Sequence, residues 1–311
     1  LNFSGDTAIT LTATTDVTAL TGYVSTNTAG VTISATLGTA DAFTGGSGAD
    51  AITVGASSVV STLGSGNDTL TASVALATGG SVSGGDGTDT VSMTAANAVT
   101  LSVAATDFDL DISNFEVVSL GQIAAGATAQ TVALANLDSI NSVKLAGAAA
   151  TGAGAATTTI SGFSTGATFE QTALFGTARA VTLTGAFTGA ADSVTLKASG
   201  TNGYANAGAL TVGSVETLSI VLNDSDTTAA TTMFDLNLDA SSVTSVTVTG
   251  DAGIDFTNGS MAAVRTMDAS GVTATGAAGV ITFTAAALLD TTIMGAAGND
   301  VLTGNSGADT I

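Results

Sequence analysis

Residues 45–53 read GGSGADAIT and residues 84–92 read GGDGTDTVS. Both fill the frame G-G-x-G-x-D-x-U-x, where U is a large apolar residue. Glycine costs backbone entropy on folding, so its repeated placement answers a geometric need; the expected one is a turn that wraps a hard cation. Residues 63–71, LGSGNDTLT, fit all but the first glycine. Residues 295–303, GAAGNDVLT, and 304–311, GNSGADTI, follow in tandem, each missing only the second glycine. Five near-complete copies in one chain are far beyond chance.

The spacing of the copies carries the fold. If each nonapeptide supplies a turn and a short strand, two complete one coil, and residues 18 apart stack directly. Asp50 and Asp68 are 18 apart and should lie on one side of adjacent coils. Asp89 follows Asp68 by 21, so that coil carries three extra residues, which we expect in a bulge between strands. Asp300 and Asp309 are nine apart and should lie on opposite sides. The U residues Ile52, Leu70, Val91, Leu302 and Ile311 should point inward between two sheets.

A second repeat runs between these clusters: FEVVSL (115–120), INSVKL (140–145), VETLSI (215–220), VTSVTV (243–248) and VRTMDA (264–269). Each is apolar at its first, fourth and sixth positions, and the last two of these alternate as in a strand. Strand-like AVTLTGAF (180–187) and DSVTLKA (192–198) lie in the longest interval. Coils of roughly 20–28 residues accommodate two or three strands plus turns. The run LAGAAATGAGAATTTISG (145–162) is a poor helix, because Thr, Ser and Gly interrupt it and a 3.6-residue period is missing. The stretch ATDFDLDISNFE (105–116) is expected as a short acidic loop, with Asp107, Asp109 and Asp111 alternating on one strand face.

Composition agrees. The 311 residues include 39 Gly and no Pro, Cys, His or Trp; 45% are hydrophobic, and Ala, Thr, Ser and Val dominate. Small β-branched residues suit stacked strands, and this hydrophobic content excludes ordinary disorder. Net charge is −21, with only Lys144, Arg179, Lys197 and Arg265 basic. Nothing could replace the counterions of nucleic acid phosphates, and the same charge opposes approach to an anionic membrane. No 18-residue apolar span suggests membrane insertion. The chain starts at Leu1 without Met and stops at Ile311 mid-pattern, as expected of a fragment whose secretion signal and anchoring region lie elsewhere. Enzyme chemistry is not expected. The usual general base and thiol nucleophile are missing, and a carboxylate-pair glycosidase would need the aromatic and basic residues that this chain lacks.

The nonapeptide resembles the calcium-binding repeat of RTX proteins, and the surrounding Thr/Ala/Gly/Val texture is similar to RTX-type S-layer proteins of Gram-negative bacteria. The resemblance implies Ca2+ between turns of neighbouring coils. The earlier turn gives the carbonyls of positions 2 and 4 and its carboxylate, and the later turn gives the carbonyls of positions 1 and 3 and its carboxylate. Carried over, one site uses Gly46, Gly48 and Asp50 with Leu63, Ser65 and Asp68. A second uses Gly64, Gly66 and Asp68 with Gly84, Asp86 and Asp89. Ala296, Gly298 and Asp300, then Gly304, Ser306 and Asp309, form incomplete half-sites. The acidic pairs at 223–226, Asp235 and Asp239, and Asp251 and Asp255 are weaker candidates, more simply read as solvated loops.

The expectation is an all-β, right-handed parallel β-helix or β-roll solenoid. Residues 1–40 form its first coils, 41–92 a calcium β-roll, 93–290 an irregular solenoid, and 291–311 the start of a second β-roll. The resemblance implies a secreted, extracellular structural subunit of a cell-surface layer, exported by type I secretion, that folds and assembles with itself through Ca2+. Cell-surface polysaccharide would be engaged through another region. The alternative is an RTX-type adhesin stalk or surface-binding module.

Overall fold

The computed structural model describes residues 1–12, 20–125, 128–138, 140–150, 156–201, 203–225, 233–286 and 289–311. It is all-β, with parallel strands stacked as a β-solenoid, as the repeats predict. Two compact units divide it: residues 1–121 with 133–143, and residues 122–132 with 144–311.

In the first unit each coil contributes one strand to each of two sheets. One sheet comprises β1 (Asn2–Gly5), β3 (Gly22–Asn27), β5 (Ala42–Thr44), β7 (Val60–Gly66), β9 (Ser81–Gly87) and β11 (Ile112–Ser113). The other has β2 (Ile9–Leu11), β4 (Val31–Leu37), β6 (Ala51–Val54), β8 (Thr69–Ala72), β10 (Thr90–Met93) and β12 (Val117–Leu120). The strands alternate buried and exposed positions, as strands with one dry face do. Ile33, Ile52, Leu70, Val91 and Val118 form one inward column, each paired in register with the next and each at most 2% exposed. Burying each such side chain contributes about 1.5–3 kcal/mol.

The spacing argument is met with one correction. Thr69 pairs with Ala51 and with Thr90, so strands 18 and 21 residues apart are equally well stacked. β7 and β9 already pair 21 apart, from Val60–Ser81 to Gly66–Gly87, with no bulge. The three extra residues therefore sit in the connection 73–80, remote from the aspartate turns, where a longer loop disturbs no ladder. A second correction concerns 107–111: Phe108–Asp111 form a short helix and not a strand, with Asp107 left-handed at φ +52° before it.

Two helices lengthen the coil between β10 and β11. The helix α1 (Ala95–Leu101) begins where the Thr94 hydroxyl accepts the Asn97 N–H at 3.1 Å and buries Ala95, Ala98 and Leu101, a spacing that keeps one face inward. The one-turn α2 (Phe108–Asp111) is anchored by buried Phe108.

In the second unit, strands 167–171, 193–200, 217–224, 245–250, 266–272 and 292–294 pair in parallel in that order. Facing strands include 156–163, 179–185, 209–212 and 238–239, and a separate set comprises 234–235, 254–255, 281–284 and 301–303. DSVTLKA and AVTLTGAF are both strands, in different sheets. Every first, fourth and sixth residue of the five six-residue repeats is buried, from Phe115, Val118 and Leu120 to Val264, Met267 and Ala269. Of the 145–162 run, residues 156–162 belong to a strand, and 151–155 lie outside the described residues.

The terminal copies differ from the others. Ile52, Leu70 and Val91 are buried, Leu302 is half-buried, and Ile311 is 65% exposed.

Candidate metal centre

The turns 45–50, 63–68 and 84–89 stack at one corner of the first unit and bring Asp50, Asp68 and Asp89 into a column. All three are buried, at most 1% exposed. Each reaches back one coil: Asp50 Oδ1 accepts the Val31 N–H at 2.6 Å, Asp68 Oδ1 that of Asp50 at 2.7 Å, and Asp89 Oδ1 that of Asp68 at 2.8 Å. The second oxygens differ. Asp50 Oδ2 accepts the Gly46 N–H at 3.2 Å. Asp68 Oδ2 and Asp89 Oδ2 are buried and have no hydrogen-bond partner among the described residues.

The electrostatics follow from burial. Loss of solvent pushes the Asp68 carboxyl up from 3.8 to about 6; the Asp50 N–H opposes this, while the Asp89 and Asp50 charges reinforce it. Burial also raises Asp50, against the N–H groups of Val31 and Gly46, and Asp89, with Glu116 and Asp86 adding to the rise. The sequence of this unit holds twelve acidic side chains and no Lys, Arg or His.

The turn glycines owe their places to crowding between coils. A Cβ on Gly87, whose φ is +147°, would stand 1.6 Å from the Gly66 carbonyl oxygen; one on Gly45 would stand 1.7 Å from that of Leu63 and 2.6 Å from Asp50 Oδ2. The carbonyls of Gly46 and Gly48 are aimed at Gly64 and Gly66, and those of Gly64 and Gly66 at Gly85 and Gly87. Positions 2 and 4 of the first two turns thus direct oxygen atoms at the next coil. The Gly46 carbonyl also accepts the Ser65 N–H at 2.8 Å. Leu63 buries its side chain, Ser65 pairs with Asp86 across the β7–β9 ladder, Gly84 is buried, and the Asp86 side chain is exposed.

The residues expected for both sites are therefore brought together around one corner, and their donors are all oxygen. That set suits a hard cation such as Ca2+, which takes six to eight oxygens including carbonyls. Among the described residues no three His, Cys, Asp or Glu side chains form a metal-binding cluster, so backbone carbonyls have to supply most of any coordination sphere.

The terminal copies are built differently. Asp300 Oδ1 accepts the Ile281 N–H at 2.9 Å and Oδ2 that of Ala296 at 2.7 Å. Asp309 Oδ1 accepts the Thr291 N–H at 3.0 Å and Oδ2 that of Asn305 at 2.7 Å. Both are half-buried with both oxygens engaged. The strand after Asp300 and the bridge Thr292–Thr310 after Asp309 lie in different sheets, so the two half-sites are kept apart. Gly298 is needed because its Cβ would meet the Gly279 carbonyl at 2.4 Å. Gly304 packs against the Asp309 carboxylate, and Ser306 is exposed.

The weaker candidates hold turns together. Asp251 Oδ1 accepts the Asp224 N–H, Asp235 Oδ1 that of Asn237, and Asp255 Oδ1 that of Thr257, each at 2.8 Å. Asp235 Oδ2 also accepts from the Asn258 amide. Asp226 lies outside the described residues. At 107–111, burial raises the Asp111 carboxyl, helped by Asp107 and Asp109.

Sequence reasoning missed Glu116, whose Oε2 accepts the Asp89 N–H at 2.7 Å. A signal existed. Val91 pairs with Val118, so D-x-U of the nonapeptide and E-x-V of FEVVSL occupy the same corner, and the two repeats share one register. The second unit uses the same device, since Glu216 Oε2 accepts the Asp192 N–H at 3.0 Å.

No protein-family model matches the chain, and no curated protein matches it either. Among the described residues no helix is long and apolar enough to cross a membrane.

Proposed function

We propose that this chain is a calcium-ordered structural solenoid, a subunit of a secreted bacterial surface layer that assembles laterally with copies of itself. The observation that carries the calcium reading is the pair of buried, unpartnered oxygens, Asp68 Oδ2 and Asp89 Oδ2, in a unit without a basic side chain. A buried carboxylate without a counter-charge is costly by several kcal/mol. Calcium supplies the missing charge and accepts oxygen ligands at about 2.3–2.6 Å.

Asp50 with Asp68, and Asp68 with Asp89, would hold two ions, with the carbonyls of Gly46, Gly48, Leu63 and Ser65 at the first and of Gly64, Gly66, Gly84 and Asp86 at the second. The chemistry supplied is charge neutralisation, so ion binding becomes folding free energy. A chain of net charge −21 stays expanded where calcium is scarce and orders where it is plentiful. The surface-layer part rests on the RTX resemblance and on the stacking of parallel strands coil after coil.

Chelator titration followed by circular dichroism tests the calcium reading; strand content unchanged by calcium removal overturns it. Electron microscopy of the purified chain with and without calcium tests the lattice. Ordered two-dimensional sheets are expected with the ion, whereas a monomer that binds glycan would make it a binding module.

A further inference from the structure

The column of carboxylates extends one rung past the nonapeptides. Glu116 Oε2 takes the Asp89 N–H at 2.7 Å, as Asp89 takes that of Asp68 and Asp68 that of Asp50. Val117 N–H reaches the Asp89 carbonyl at 3.0 Å, as Thr90 N–H reaches that of Asp68 at 2.8 Å. Pairing of Ile112 with Val82 and of Ser113 with Ser83 sets the 114–116 turn over the 84–89 turn, and Asn114 Nδ2 donates to Ser83 Oγ at 3.0 Å.

The direction of the orphaned oxygens decides what this rung does. Around the missing Cβ of Gly45 stand the carbonyl of Leu63, in the next coil, and Asp50 Oδ2 at 2.6 Å. Around that of Gly84 stand the carbonyl of Asn114, in the next coil, at 2.1 Å and Asp89 Oδ2, again at 2.6 Å. The second oxygens of Asp50 and Asp89 thus face the gap to the coil that follows. Asn114, at φ +57°, puts its carbonyl where position 1 of a further nonapeptide would. The sites expected from the motif fill the gaps between Asp50 and Asp68 and between Asp68 and Asp89. Asp89 Oδ2, on a residue 0% exposed and without a partner, faces a third gap whose far wall has no nonapeptide.

We infer that the 112–116 turn closes a third divalent-cation site against the 84–89 turn, with Glu116 in the place of the position-6 aspartate and the Asn114 carbonyl in the place of position 1. The inference rests on the calcium reading above. Gly85 and Gly87 hold positions 2 and 4 of the near turn, the positions whose carbonyls in the two preceding turns are aimed at the next coil. The Asp192–Glu216 pair shows what the backbone pattern alone amounts to. There Asp192 Oδ2 accepts the Gly189 N–H at 2.8 Å, residues 187–192 read FTGAAD without the paired turn glycines, and no site is assigned.

The test counts calcium ions on the full chain by isothermal titration calorimetry and equilibrium dialysis. Glu116→Gln keeps an oxygen for the Asp89 N–H and removes only the charge. It should bind one ion fewer than the natural chain, Glu116→Asp should restore the count at weaker affinity, and Asp111→Asn on the adjacent helix should leave it unchanged. Equal stoichiometry and affinity in Glu116→Gln and the natural chain overturn the third site while leaving the other two. A natural chain that binds no calcium overturns the calcium reading itself. Hydrogen exchange on the natural chain is independent of whether a variant folds. Protection of 112–117 rising on calcium addition together with that of 63–68 supports the site, and unchanged exchange of 112–117 beside a protected 63–68 overturns it.

Discussion

Replacing Asp68 with Asn should change sign with calcium. The side chain is 1% exposed, Oδ1 is committed to the Asp50 N–H, and Oδ2 has nothing to bond. A carboxyl raised from 3.8 to about 6 in the folded state corresponds to about 3 kcal/mol at 1.4 kcal/mol per tenfold change in acidity. The sign follows by linkage. Below pH 3.8 both states are protonated and nothing is lost. Between 3.8 and about 6 the unfolded chain ionises first, so stability falls as pH rises, and above about 6 the full loss remains. In chelator at pH 8, Asp68→Asn should therefore raise the unfolding free energy by up to about 3 kcal/mol and flatten its dependence on pH between 4 and 6. In calcium at a hundredfold excess over its dissociation constant, the natural chain gains about 2.7 kcal/mol per ion, which the variant forfeits at both gaps that share Asp68. Circular dichroism at pH 5 and 8 measures all four cases: the folded fraction in chelator, where the natural chain is expanded and the variant should regain strand content, and urea unfolding in calcium. Equal destabilisation with and without calcium would refute the reasoning, since Asp68 would then be an ordinary hydrogen-bonded turn residue.

Other substitutions probe the stack itself. Gly87→Ala drives a methyl into the Gly66 carbonyl and should cost at least about 1–3 kcal/mol in denaturant unfolding, whereas Gly213→Ala, with nothing within 4 Å, should stay within about 0.5 kcal/mol. Leu70→Ala, in a fully buried column position, should lower stability by about 2–5 kcal/mol. Thr94→Ala removes the α1 cap and should cost about 0.5–2 kcal/mol, with faster hydrogen exchange confined to 95–101.

The parts legible in the sequence are those in which one side chain recurs at a constant distance. Asp50 and Asp68 reveal the coil because nothing between them varies in length, and Val118 or Met267 reveal the inward face because a strand must alternate. Glu116 escaped notice because the coil before it holds α1 and α2 and is 27 residues long, so no period leads from Asp89 to it. The α1 cap was hidden for a different reason: with Ser and Thr everywhere, Thr94 does not stand out as a start signal. The three-residue insertion was visible as a number but not as a place, since a spacing between aspartates is silent about which side of the coil has grown. In the sequence, glycine suggests a turn bent toward an ion; the structure makes it first a clearance between neighbouring carbonyls, which depends on contacts one coil away.

The hydrogen bonds that link one coil to the next in the carboxylate column all run one way along the chain. The Val31 amide waits for Asp50, that of Asp50 for Asp68, that of Asp68 for Asp89, and that of Asp89 for Glu116. No coil can finish its own corner; each is completed by a residue that emerges later. Wherever coils order in chain sequence, the most recent coil holds an open amide, and the next arrival seals it. The solenoid thus has an arrow of assembly written into its backbone, advancing one coil at a time.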